Sequence, residues 1–284
     1  MTHIVDWSAF TLPIMHTEQA PSRAAFQIRV GRVMANMVEL LPIVGLISTE
    51  SIIPCKPQRP YTLAWQCPLV GWVINADPRR KEALIVFNGQ ACQQVRKMGA
   101  DAMNQLMAAV SASGTRLDLA TDIDTMIDIK LIQDAGWTKR ITTTSYIQSG
   151  TGDTLYIGSR KSEAFARVYR YKSPHPRAGK LRVEHELKKG RAKAVAAIAC
   201  RYGVDTAQRS VANSFDYQHV VITDAFSGAT RRIQTEEHSK TAAKTEMWLL
   251  TQCAPAFIRL VAEGVISDPE LWVKKYMLGG HVKR

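Results

Sequence analysis

The chain has 284 residues, of which 46% are hydrophobic and 22% charged, the make-up of an ordinary globular fold. No run of about 18 apolar residues occurs, which excludes a helical membrane span, and Met1–Trp7 lacks the basic-then-apolar order of a signal peptide. The five cysteines are widely spaced with no Cys-x-x-Cys pair, which argues against a disulfide framework or a structural zinc site and for reduced cysteines in a cytoplasmic protein.

The net charge of +12 attracts polyanions, nucleic acid foremost. Basic residues concentrate between Arg160 and Arg201, where Arg167, Arg170, Lys172, Arg177, Lys180, Arg182 and Lys188 follow one another closely.

In chain order, residues 4–12 read as a strand and Ala24–Leu41 as a helix closed by Pro42. Tyr61–Ile74 is aromatic and β-branched, a strand region broken at Pro68. Ala83–Phe87 is a further strand, ended by the turn signal Asn88-Gly89. Val95, Met98, Ala102, Leu106 and Val110 recur at helical spacing and predict one helix over Ala91–Val110, stopping at Ser113-Gly114. Thr115–Asp122 is a strand, and Thr154–Gly158 with Ala164–Tyr171 form a hairpin around Ser159–Ser162. Leu181–Leu187 is a strand, followed by a helix from Arg191 to Tyr202 that stops at Gly203. His219–Thr223 and Thr230–Ile233 read as another hairpin across Ser227-Gly228. Lys240–Glu263 is helical in pattern with a break at Pro255, and Asp268-Pro269-Glu270 starts a last short helix. Strands that come partly as neighbours predict an α+β fold: a mostly antiparallel central sheet with helices packed on it and a helical C-terminal part. No Pro-, Gly- or Ser-rich linker divides the chain, so a single domain over 1–284 is expected, with 240–284 as a helical extension.

Side chains alternate across a strand. In Arg116–Asp122, Leu117 and Leu119 face a core, while Arg116, Asp118, Ala120 and Asp122 face the other way. Two carboxylates flanking a small alanine leave room for a hard cation, magnesium or manganese; a salt bridge to Arg116 explains the pattern equally well. Arg182–Lys188 repeats the pattern, with Glu184 and Glu186 on the face of Arg182 and Lys188. His185 falls on the apolar face and reads as a core residue. If the two strands are neighbours, carboxylates crowd together and need a cation or bound protons. In Phe165–Lys172, Phe165, Arg167, Tyr169 and Tyr171 share a face. A tyrosine beside an arginine and acidic strands suits phosphoryl transfer: its pKa near 10 makes it a poor nucleophile until nearby positive charge favours the phenolate.

Taken in order, Arg116-Leu117-Asp118-Leu119-Ala120-Thr121-Asp122, Tyr156–Ser162, Arg167-Val168-Tyr169 and Arg182-Val183-Glu184-His185-Glu186-Leu187 resemble the Rep_trans family, the rolling-circle replication initiators of plasmids and phages and the related relaxases of conjugative elements. Val5-Asp6-Trp7 and Phe87–Cys92 also look like family members, and the resemblance is most specific over residues 84–191. It implies Tyr169 as the nucleophile of a nicking and closing reaction that leaves a 5′-phosphotyrosine and a free 3′-hydroxyl. It further implies Asp118, Asp122, Glu184 and Glu186 as the set from which the ligands of a magnesium or manganese ion are drawn, and locally single-stranded origin DNA as the partner. A host helicase, a polymerase and a second copy of the chain are further partners it suggests. The sequence departs from the family at Tyr171, which stands where a lysine often follows the nucleophile; because Tyr171 shares the strand face of Tyr169, it is the second candidate nucleophile. Arg160, Lys161, Arg167, Arg170 and Lys172 are the candidate phosphate contacts. Two other readings stand beside this one: a hydrolytic nuclease, from the Asp118…Glu186-Leu187-Lys188 pattern, and a DNA-binding protein without catalysis.

Overall fold

The structure is a computed structural model that describes residues 2–13, 53–77, 80, 82–137, 143–149, 152–171, 178–235 and 254–276. By contacts within the chain it divides into two compact units, Met1–Thr235 and Glu236–Arg284.

The first unit is built on a ten-stranded sheet in which every neighbouring pair is antiparallel. Its strands are β1 (Thr2–Pro13), β2 (Ile53–Pro54), β3 (Leu63–Cys67), β4 (Trp72–Ala76), β5 (Glu82–Phe87), β6 (Gly114–Ile123), β7 (Thr144–Ser149), β8 (Gly152–Ile157), β9 (Ala164–Arg170) and β10 (Leu181–Lys188). The order across the sheet is β2-β3-β4-β5-β1-β6-β10-β9-β8-β7. The two acidic strands β6 and β10 are therefore direct neighbours, and the tyrosine strand β9 lies against β10.

The helices of this unit are α1 (Gly89–Met98), α2 (Ala100–Ser113), α3 (Ile129–Ala135), α4 (Lys189–Tyr202), α5 (Val204–Phe215) and α6 (Val220–Ala225). α1 and α2 pack on β1, α4 on β6 and β10, and α5 on β1 and α4. The alternation decides which face they cover. Leu117 and Leu119 on β6, Val183 and Leu187 on β10 and Val168 on β9 are fully buried and belong to one core with Val110, Val195, Ala196 and Val211 of the helices. Burying these side chains supplies the main driving force, at roughly 25 cal/mol per Å² of apolar surface. In the second unit, α7 (Ala254–Ala262) and α8 (Pro269–Tyr276) are joined by a tilted contact of the Phe257 and Trp272 rings, with Asp268 Oδ1 capping α8 by accepting from the Leu271 N–H at 2.9 Å.

The α+β sheet with packed helices is what the sequence predicts, but two local expectations are corrected. The helix expected over Ala91–Val110 is two helices, broken at Gly99, whose φ of 109° is open to glycine alone among common residues. The hairpin expected over His219–Ile233 is absent: Val220–Ala225 is the helix α6, capped by the His219 ring accepting from the Val221 N–H, and residues 229–235 carry no strand. Asn88 acts as the N-cap of α1, accepting from the Ala91 N–H at 3.1 Å. Gly71 is needed beside it, because a Cβ there would meet Asn88 Oδ1 at 2.2 Å. The helix expected at Ala24–Leu41 and the start of the one expected from Lys240 lie outside the described residues.

Behind the sheet, His185 is buried among Phe215, Tyr217 and Phe226, its Nε2 bonded to the Tyr217 hydroxyl at 2.9 Å. Burial lowers its pKa from 6.5 to about 3. Between these values the unfolded chain binds the extra proton, so this group's contribution is complete above about pH 6.5 and is lost as pH falls towards 3. Urea unfolding should therefore show stability falling below pH 6.5 by up to about 1.4 kcal/mol per pH unit from this residue, and His185→Gln should flatten that slope. An equal slope in the variant contradicts the assignment.

Candidate active site

The register of three strands assembles the site. Glu186 lies opposite Asp118, Arg182 opposite Asp122, and Glu184 opposite Ala120 on one side and Arg167 on the other. Tyr169 lies opposite Arg182. All these side chains share the face turned away from the helices, as their parity requires.

A β-bulge brings in Asp6, a residue whose role is not apparent from the sequence. The pairing of β1 with β6 shifts between Val5 and Trp7, so that two consecutive residues serve the same face. Asp6 reaches Arg182 Nη2 at 2.5 Å, and the Trp7 ring lies under the Arg116 guanidinium at 5.2 Å. The Val5-Asp6-Trp7 segment is visible as a motif, but the insertion that re-aims Asp6 belongs to the pairing, which one strand's sequence does not reveal.

Each carboxylate is held by a guanidinium. Arg116 donates to both oxygens of Asp118, from Nε at 2.8 Å and Nη2 at 2.6 Å, and reaches Glu186 Oε2 at 2.9 Å. Lys188 Nζ holds the other Glu186 oxygen at 2.8 Å. Arg167 donates to Glu184 and lies 3.9 Å from Asp118. Arg182, with no exposed surface, bridges Asp6 and Asp122, the latter at 3.2 Å, and stacks over the Tyr171 ring at 5.5 Å. Fork-to-carboxylate pairing of this kind is what keeps charges this close together in a half-buried place.

The titrations follow from this lattice. Burial pushes the Asp118 carboxyl up to about 6, against the hydrogen bonds and charge of Arg116, which pull it down. Burial also raises Glu186, but the Lys188 hydrogen bond and the Arg116 charge outweigh it and hold the group below its ordinary value. Tyr169 donates its hydroxyl proton to Glu184 Oε2 at 3.1 Å. Burial and then the Glu184 charge hold this phenol well above its usual range, with Arg182 pulling the other way. Tyr171 meets Tyr169 edge-on, ring centroids 5.5 Å apart, and burial raises its phenol as well.

The structure thus brings together Tyr169, Tyr171, Asp118, Asp122, Glu184, Glu186 and Arg167, and adds Asp6, Arg116 and Arg182. The other expected phosphate contacts are placed differently. Arg170 points to the opposite face, where it donates to the carbonyls of Thr125, Ile127 and Gly179. Arg160 is exposed at the β8–β9 turn, its guanidinium over the Tyr156 ring at 4.9 Å, and Lys161 is exposed beside it. Lys172 lies outside the described residues.

As arranged, the site does not fit a metal ion. Asp118, Asp122, Glu184 and Glu186 offer the oxygen donors a hard cation prefers, but ion pairs occupy all four. Among the described residues no three His, Cys, Asp or Glu side chains are grouped to hold an ion.

No protein-family profile matches the chain, and no curated protein sequence does. Among solved structures, the fold is similar to that of a rolling circle replication initiator protein from Geobacillus stearothermophilus, with a TM-score of 0.55, 17% identity, and 81% of this chain and 92% of that chain covered. At that identity the likeness establishes a shared fold: a wide antiparallel sheet with helices packed against it.

The raised Asp118 carboxyl gives a test of the lattice. Between pH 3.8 and 6 the folded state keeps the proton longer than the unfolded chain, so this group's effect on stability worsens as pH rises through that window. Asp118→Asn should therefore gain on the parent protein between pH 4 and 6 in urea unfolding, by up to about 1.4 kcal/mol per pH unit. A difference that does not change with pH contradicts the buried, ion-paired placement.

Proposed function

We propose that the chain nicks one strand of DNA by transesterification at Tyr169, acting as an initiator of rolling-circle replication or as a conjugative relaxase. The observation that carries this reading is the Tyr169 hydroxyl, 3.1 Å from Glu184 Oε2 on a sheet face lined by Arg116, Arg167 and Arg182. The ordered sequence motifs, the net charge of +12 and the fold shared with a rolling circle replication initiator support it.

The chemistry follows from the pairs. A DNA phosphate entering this face draws the Arg167 and Arg116 forks towards its oxygens. Glu184 then loses part of its counter-charge and becomes a better base for the proton it already accepts. The Tyr169 oxygen attacks phosphorus as that proton passes to Glu184, and the bond from phosphorus to the 3′-oxygen breaks. The 3′-oxygen leaves as a hydroxyl, taking its proton from solvent. One phosphorus–oxygen bond forms and one breaks, so the 5′-phosphotyrosine keeps the energy needed to rejoin the strand. Arg182, beneath both tyrosines, offsets negative charge on the phenolic oxygen. Magnesium or manganese, expected from the family resemblance, is not used in these steps.

One observation favours a second reading. Asp118 lies opposite Glu186, with Lys188 Nζ at 2.8 Å from that carboxylate, the juxtaposition a hydrolytic nuclease would need. Incubating the protein with labelled single-stranded DNA, with and without manganese, and running a denaturing gel separates the alternatives. Transesterification predicts a covalent protein–DNA band that Tyr169→Phe abolishes and Tyr171→Phe retains, and that Glu184→Gln slows by about 10²–10⁴-fold. Cleavage with no covalent band favours hydrolysis, and binding with neither product favours a DNA-binding protein without catalysis; each contradicts the proposal.

A further inference from the structure

The chain's excess positive charge has to be located. On the tyrosine face Arg116, Arg167, Arg182 and Lys188 are already paired with carboxylates, and Arg170 is bound to carbonyls. Guanidinium groups without such partners occur instead around a pocket on the helical side, with a volume of about 580 Å³. Arg191 of α4, Ser210, Asn213 and Ser214 of α5, and Arg231 and Arg232 of the segment after α6 line it. Among the described residues none of these three arginines is held by a carboxylate at ion-pair distance, though Glu163 acts on the charge of Arg191. Asp216 is the acidic residue in the lining, and Gln218 donates to it at 3.2 Å.

The pocket is built rather than a chance surface of loose side chains. The Arg231 N–H donates to Ser210 Oγ at 2.8 Å, and Ser210 in turn donates to the Thr206 carbonyl at 2.7 Å, so the segment is pinned to α5. The Arg231 guanidinium lies 4.5 Å from the centre of the Tyr202 ring and donates to the Thr230 carbonyl, which leaves further N–H groups of the fork for another acceptor. Arg191 is half-buried, and its Nε lacks a hydrogen-bond partner among the described residues.

We infer that this arginine pocket is a second nucleic-acid site, which holds backbone phosphates of DNA flanking the strand that reaches Tyr169. The inference rests on the reading of the chain as a DNA-acting protein. Guanidinium forks with hydroxyl and amide neighbours match phosphate oxygens, and a pocket of this size, open to solvent, accepts a phosphodiester chain rather than one enclosed anion. The spacing also suits a separate contact. From Arg182, beside Tyr169, β10 runs to Lys188 and directly into α4, whose Arg191 lines the pocket, and Phe215 of the lining packs against His185, which alternation places on the face opposite Tyr169. DNA held there meets arginines that, among the described residues, have no carboxylate at ion-pair distance, whereas on the tyrosine face it must compete with carboxylates.

The test is the salt dependence of binding to a labelled DNA duplex, followed by fluorescence anisotropy in the presence of a chelator, so that no cleavage is needed. Each DNA phosphate that a substitution leaves without its arginine should lower the slope of log affinity against log salt by roughly 0.9. The triple variant Arg191→Ala, Arg231→Ala, Arg232→Ala is expected to lower it by roughly two to three and to weaken binding at least about tenfold at low salt. The corresponding triple lysine variant should stay near the parent and serves as the control for folding. Parental affinity and slope in the alanine variant would overturn the inference. So would a pocket that inorganic phosphate fills, with a rise in melting temperature, while duplex binding ignores the arginines. Because binding is read without nicking, failure of the tyrosine reaction leaves this result interpretable.

Discussion

Carboxylates that crowd one face of a sheet repel one another, and the fold answers with interleaved arginines. β6 and β10 each carry acidic side chains at alternate positions, and their direct pairing places Glu186 opposite Asp118. At about 5 Å between facing residues, two bare carboxylates would not both stay ionised. Arg116, Arg167 and Arg182 stand at the same parity and, with Lys188, pair with these carboxylates and offset most of their charge. Arg182 shows the constraint most sharply, because an arginine with no exposed surface is tolerated only where acids meet it, here Asp6 and Asp122. The bulge in β1 that delivers Asp6 belongs to the same solution.

The two faces of the sheet then carry different tasks. Alternation that sends charge forward sends Leu117, Leu119, Val183 and Leu187 back, where α4 and its neighbours bury them. The apolar face fixes register, since a slip of one residue would exchange the two faces. That register is what sets Tyr169 against Arg182 and Arg167 against Glu184. The charge lattice of the front is therefore positioned by the packing of the back. Its arginines are engaged before any ligand arrives, and unengaged ones lie on the helical side.

Much of this was legible in the sequence, because parity along a strand is a local property. The faces of β6, β9 and β10 and the burial of His185 follow from alternation alone, as does the placement of Tyr171 beside Tyr169. Pairing partners were not legible: which arginine serves which carboxylate depends on register between strands far apart in the chain. Arg170 had the wrong parity for the tyrosine face, but its three carbonyl partners come from the loops around Ile127 and Gly179. The run His219–Thr223 misled because Val220, Val221, Ile222 and Thr223 favour strands by local preference. Packing overrode it, since Ile222 and Ala225, three apart, fall on one helical stripe and are buried. Gly99 was hidden inside an apolar spacing that continues across the break.

The most direct measurement is the identity of the residue that becomes attached to DNA. Trypsin cuts after Arg167 and Arg170, which puts Tyr169 and Tyr171 on different peptides. After reaction with single-stranded DNA and nuclease trimming, mass spectrometry of the digest should find the nucleotide on the peptide Val168-Tyr169-Arg170. A nucleotide on the peptide that begins at Tyr171, or on no peptide at all, contradicts the account.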